Sequence, residues 1–128
     1  MTQRTVAERV RLDRLEGIAI EAAEQCGRTL LLRIAEPLPL KQLLGERDAS
    51  RTLYFADEAG GEPAATAFQP APCLILTGPE GGFTDEERAM IRAAENSIAI
   101  SLGPRILRAE TAALAALSAY MALAGDWR

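Results

Sequence analysis

Apolar residues recur along this chain in two rhythms, one at three- and four-residue spacing and one in short unbroken runs, and their alternation predicts helices interleaved with strands. From Val6 to Cys26, Leu12, Leu15, Ile18 with Ala19, Ala22 with Ala23, and Cys26 keep the helical spacing. One amphipathic helix follows, with Gly27 placed to end it and Arg14, Glu21 and Glu24 on its solvated face. Thr29 to Ile34 is a β-rich apolar run stopped by Pro37 and Pro39, and Leu40, Leu43 and Leu44 suggest a short helix ended by Gly45. Thr52 to Ala56 reads as a second strand, Asp57 to Pro72 as a surface loop without useful periodicity, and Cys73 to Thr77 as a third strand.

Beyond Thr77 the pattern becomes more specific. Thr84 and Glu87 have the spacing of a capping box, which starts a helix from Asp85 to about Glu95 that turns Met90, Ile91 and Ala94 inward. Ser97 to Leu102 supplies a fourth strand, and Thr111 to Leu123 an Ala- and Leu-rich helix. Strands alternating with helices predict an α/β domain with a mostly parallel sheet covered by helices on both faces.

Two loops stand at the carboxyl ends of predicted strands, where ligands of open α/β sheets bind. The first, Gly78-Pro-Glu-Gly-Gly82, lacks the Lys-Ser/Thr of a phosphate loop and the GxGxxG of a dinucleotide fold. The second runs from Gly103 to Glu110 and carries Arg105 and Arg108 beside Glu110. If the two strands are adjacent, the loops share one crevice. The residues alone leave three readings open: a small-molecule pocket, two ordinary glycine turns, or a protein-interaction edge. The arginine pair suits an anion, a phosphate backbone or the carboxylate of Glu80, and Glu110 alone is a favourable partner for a helix start.

Composition narrows the class. The 128 residues are 48% hydrophobic, enough for one packed core. No apolar run approaches the roughly 20 residues that span a bilayer, and Met1 to Val10 is polar, so a cytoplasmic protein without a membrane association is the expectation. There is no histidine, which removes His-based catalysis and the common zinc sets, and Cys26 and Cys73 are read as reduced packing residues; no metal is expected. The net charge of −4 has the wrong sign for an unaided nucleic-acid binder, yet thirteen of the fourteen cations are Arg, the side chain suited to forked phosphate contacts.

Leu76-Thr-Gly-Pro-Glu-Gly-Gly-Phe83, Leu102-Gly-Pro-Arg-Ile-Leu-Arg-Ala-Glu-Thr-Ala112 and, upstream, Glu21-Ala-Ala-Glu-Gln-Cys-Gly-Arg28 together closely resemble the RsmE family, small-subunit ribosomal RNA uridine-N3 methyltransferases of the SPOUT, or trefoil-knot, superfamily. The resemblance covers essentially the whole chain. It implies a C-terminal trefoil knot whose loops hold S-adenosyl-L-methionine, with Leu76, Thr77, Gly78, Pro79, Glu80 and Gly81 on one wall and Leu102, Gly103, Pro104, Ile106 and Leu107 on the other. It also implies a homodimer packed through the last helix, and small-subunit (16S) ribosomal RNA as the partner. Arg108 and Glu110 are the implied catalytic residues, Glu110 as base ahead of Glu80, and Gln25, Arg28 and Arg105 the RNA-facing ones. Residues 1–128 are then a single SPOUT-like domain, without the family's N-terminal PUA-like RNA-binding domain and the first strand and helix of the knotted domain. The alternative is a dimeric S-adenosylmethionine-binding module with weak or no activity.

Overall fold

A computed structural model describes residues 33–79, 82–103 and 109–127, together with Arg14, Glu16, Ile18, Ile20 and Glu21. The chain divides into two compact units, Met1–Leu43 and Leu44–Arg128. In the first, the five described positions from Arg14 to Glu21 are helical, within the helix that the periodicity predicts, and Arg14 and Glu21 are exposed. The run expected to form a strand from Thr29 differs. Arg33 and Ile34 are not in a strand, since Pro37 and Pro39 follow closely and offer no ladder donors, and residues 29–32 lie outside the described residues. Helix α1, Leu40–Glu46, runs one residue past Gly45.

The second unit holds an all-parallel sheet. Strand β1 is Thr52–Ala56, β2 Glu62–Pro63, β3 Cys73–Leu76 and β4 Ser97–Ser101, in the order β2-β4-β1-β3. Helix α2 is Ala64–Ala67, α3 Asp85–Ala93 and α4 Ala109–Leu123. The stretch expected to be a plain surface loop, 57–72, therefore contains β2 and α2. Two residues of strand and one helical turn are too short to leave a periodic trace.

The strands carry apolar residues without alternation because both faces are covered. Tyr54 pairs in register with Ile75 and Ile98, and Ala56 with Ile100. This set faces α2 and α4: Tyr54, Ala64, Ala67, Phe68, Ile100 and Ala124 are buried together. The ring of Phe68 meets Tyr54 edge-on at 4.9 Å and Tyr120 at 5.4 Å. Phe55 points the other way, where its ring meets Phe83 at 6.4 Å and carries the Arg92 guanidinium at 5.5 Å. Helix α3 thus covers the second face, with Ile91 fully buried and Met90 and Ala94 partly so.

At the amino end of the sheet, Arg47 donates to the carbonyls of Glu95 and Arg51, and the Asn96 side chain to those of Ala49 and Ser50. Asn96 itself takes φ 59°, a left-handed conformation that Asn tolerates. At the other end, β4 lies between β1 and β2, although those two strands are joined by only residues 57–61. The joining segment must cross β4 from one side to the other. Asp57 N–H donates to the Ile100 carbonyl at 3.2 Å on the way. Gly61 comes so close that a Cβ there would stand 2.6 Å from the Ala99 carbonyl carbon and 2.8 Å from Ile100 N.

Backbone cannot give way as a side-chain tip can. Gly61→Ala should lower stability by about 3 kcal/mol, at the upper end of overpacking costs, read as a drop in the urea midpoint at unchanged slope; Gly45→Ala, with open space around it, should show no loss of that size.

Candidate functional site at the carboxyl edge of the sheet

The loop after β3 is built by local signals. Leu76 ends the strand, partly buried, and Thr77 and Gly78 follow it, partly buried, before the exposed Pro79. Gly82 closes a tight turn by donating its N–H to the Pro79 carbonyl at 2.8 Å, with φ at 79°. Thr84 then caps α3 as expected: its hydroxyl accepts from Glu87 N–H at 3.0 Å, and Glu87 accepts from Thr84 N–H at 2.9 Å. The three acidic residues Asp85, Glu86 and Glu87 in the first turn add to the capping by facing the positive end of the helix dipole.

The loop after β4 starts with Leu102, packed against the Tyr54 side of the core, and Gly103. Gly103 has φ 113° and exchanges hydrogen bonds with the Ser101 hydroxyl at 3.2 and 3.4 Å; among the described residues, nothing lies within 4 Å of the place its Cβ would take. Glu110 lies in the first turn of α4. The Glu110 side chain, and Gln25, Arg28, Glu80, Gly81, Pro104, Arg105, Ile106, Leu107 and Arg108 altogether, lie outside the described residues.

The two loops share an edge but do not end neighbouring strands. Strand β1 stands between them, so with strands about 4.8 Å apart the ends of β3 and β4 are about 10 Å from one another. The central place goes to β1 because Leu53, Tyr54 and Phe55 are the most thoroughly buried run of the sheet. What fills the gap between the loops is accordingly the end of β1 and its crossing segment.

That position holds Asp57, which the sequence reading passed over. Its carboxylate is fully buried. Oδ1 accepts from Ala59 N–H and Arg88 Nε–H, both at 2.9 Å, and Oδ2 from an Arg92 terminal nitrogen at 2.8 Å. Arg88 also reaches Asp85 at 3.1 Å, and Arg92 the Gly60 carbonyl at 3.4 Å. Next to it, Glu58 lies against Gly82, in the space a side chain at 82 would need. A signal was present: an acidic residue directly after an apolar strand, and two arginines one helical turn apart on the helix that follows.

Burial pushes the Asp57 carboxyl up, but the Ala59 N–H and the Arg92 and Arg88 guanidinia together outweigh it and hold the group below its ordinary value of 3.8. On the far face, burial pushes the Cys73 thiol up against the opposing effect of the Tyr120 hydroxyl, in keeping with an unreactive packing residue.

A family model, RNA methyltransferase domain, matches residues 1–121. Among curated proteins, the ribosomal RNA small subunit methyltransferase E of Rickettsia conorii is 33% identical over 113 residues, 85% of this chain and 46% of its own length. Among solved structures, the ribosomal RNA small subunit methyltransferase E from Neisseria gonorrhoeae, bound to S-adenosyl methionine, superposes with TM-score 0.84 at 32% identity, covering 92% of this chain and 50% of that one. A putative methyltransferase from Legionella pneumophila, with the same cofactor bound, gives 0.75 at 34% identity over 95% and 49%. The chain spans about half the length of the curated relatives it matches.

A carboxyl group with a depressed folded-state value stabilises the fold fully above its unfolded value and loses that contribution as pH falls through the folded one. Stability attributable to Asp57 should thus be level from neutrality to about pH 5 and decline below about pH 4. Asp57→Asn should cost about 3 kcal/mol at pH 7, and its deficit against the parent, measured by urea denaturation, should shrink towards pH 2. Asp48, held low by its Ser50 hydrogen bonds, retains its own share of the acid slope in both proteins.

Proposed function

We propose that this chain, which belongs to the RNA methyltransferase domain family, binds S-adenosyl-L-methionine and methylates the N3 of a uridine in small-subunit (16S) ribosomal RNA. The observation that carries this reading is the superposition of 92% of the chain on a methyltransferase E crystallised with that cofactor, with the left-handed Gly103 in the loop at the carboxyl end of β4. Gly103 has φ 113°, a conformation that favours glycine, and no described atom lies within 4 Å of its Cβ position, which leaves room for a ligand against the backbone.

In this reading Leu76, Thr77, Gly78 and Pro79, with Glu80 and Gly81, form one wall, and Leu102 and Gly103, with Pro104, Ile106 and Leu107, the other. The cofactor supplies an electrophilic methyl group on a sulfonium, and no metal is needed for its displacement. Holding the uracil nitrogen in line with that methyl is the main task of the protein. Glu110 accepts the N3 proton, and Arg108 stabilises the negative charge that develops on the ring. Gln25, Arg28 and Arg105 face the RNA, where guanidinium forks suit phosphate.

The threading of a trefoil knot belongs to the same proposal. Insertion of β4 between β1 and β2, two strands joined by five residues, supports it. Dimerisation through α4 is supported by its outward side, where Leu114 is 68% exposed, Leu117 53% and, just beyond the helix, Trp127 62%. No described helix is long and apolar enough to cross a membrane, in keeping with a protein that works on ribosomal subunits in the cytoplasm. Residues 1–128 act as one SPOUT-like domain.

Transfer of labelled methyl from S-adenosylmethionine to small ribosomal subunits is the direct test, with N3-methyluridine as the expected product; a folded protein that binds the cofactor and transfers nothing is the binding module instead. Gly103→Val should weaken cofactor binding at least ~100-fold in calorimetry, whereas Arg108→Ala should bind normally and slow transfer ~100-fold. Leu114→Glu combined with Leu117→Glu should convert a dimer to a monomer in sedimentation.

A further inference from the structure

We propose that Asp57 is a positioning residue: by fastening the start of α3 to the segment that crosses β4, it sets where the Pro79–Gly82 turn stands beside the end of β1. Its bearing on catalysis rests on the reading of that turn as a wall of the cofactor site.

Among the described residues, three contacts join the end of β1 and the segment after it to the loop after β3 and the start of α3. Phe55 meets Phe83 edge-on, Glu58 fills the space over Gly82, and Asp57 binds Arg88. The first is apolar and tolerant of sliding, and the second is at an exposed side chain. Only the Asp57 contact is charged, buried and directional, with acceptor sites on both oxygens in use. Its effect reaches the turn by a short path. Arg88 N–H donates to the Thr84 carbonyl at 2.9 Å, Thr84 is the helix cap, and the neighbouring Phe83 ring lies 3.2 Å from where a Cβ of Gly78 would be.

Stability alone does not call for a carboxylate here. Removing a charge from water carries a large desolvation cost, and apolar residues of similar volume often hold a fold as well or better. What the ion pair adds is a fixed geometry between two segments that the sheet ladder does not join: the crossing segment and the α3 start. Both border the gap of about 10 Å between the β3 and β4 loops.

Amide hydrogen exchange tests this without a ligand. In Asp57→Asn, exchange at Gly82 N–H and Arg88 N–H should rise about tenfold more than at Ala124 N–H, which is bonded to the Tyr120 carbonyl on the far face and reads the loss of global stability. S-adenosylmethionine should bind about tenfold more weakly, and Tyr54→Phe, which removes the acceptor for Gln69 N–H on the far face, should leave Gly82 exchange and cofactor affinity as in the parent. Equal acceleration at all three amides, or none at Gly82 and Arg88, overturns the proposal. Should Asp57→Asn not fold, Arg92→Gln removes the Oδ2 contact from a half-exposed partner and should give the same local pattern at about threefold. A parent protein that shows the exchange pattern but does not bind the cofactor upholds the positioning role and overturns the cofactor reading.

Discussion

The carboxyl edge of this sheet depends on residues 57–61 getting across β4 at main-chain contact distance. Gly61 permits the approach because nothing projects from its Cα towards Ala99 and Ile100. Asp57 begins the crossing by donating its own N–H to Ile100 and ends any freedom of the segment by accepting from Ala59, Arg88 and Arg92. If the crossing moved outward by the width of a methyl group, β2 could not pair with β4, and the loop carrying Glu58 would lose its seat against Gly82. Local backbone contact and a buried charge thus act on the same five residues, one fixing their distance from β4 and the other fixing their direction towards α3.

This arrangement explains why, among the described residues, the candidate site is built from glycine and backbone rather than from a cluster of titratable side chains. Strand β1 occupies the centre, with Tyr54 committed to one face and Phe55 to the other, so its end brings no free side chain except Asp57 and Glu58. Asp57 is held ionised by its partners, and its fully buried carboxylate already accepts three hydrogen bonds. The loops on either side then offer main chain: the turn closed by Gly82 and the open flank of Gly103. A site of this kind recognises shape and hydrogen-bonding pattern.

Much of this was legible in the order of residues, for physical reasons. The Thr84 and Glu87 capping box forms as written because its hydrogen bonds join groups three residues apart and need no tertiary context. Strands β1, β3 and β4 are legible because a parallel sheet covered on both faces demands unbroken apolar runs. Their lateral order is not, since nothing in Cys73–Leu76 or Ser97–Ser101 says which strand it will lie beside; two loops expected to meet are instead parted by β1. Strand β2 and helix α2 leave no trace in the pattern because neither is long enough for its period to repeat. Asp57 escaped notice because its partners, Arg88 and Arg92, are more than thirty residues away.

The place of β4 also bears on how the molecule comes into being. Strands β1, β2 and β3 all precede it in the chain, yet β4 supplies the only ladder that joins β1 to β2. Within this sheet β1 and β2 are therefore joined only once β4 lies between them. Assembly has to wait for residues 97–101, whose contacts with β1 span more than forty residues of intervening chain, a separation that slows folding. Until that insertion, Tyr54 and Phe55 sit beside an unpaired strand edge. An unpaired strand edge of that kind is open to mispairing, so late closure by β4 is a point at which folding of this sheet is exposed to error.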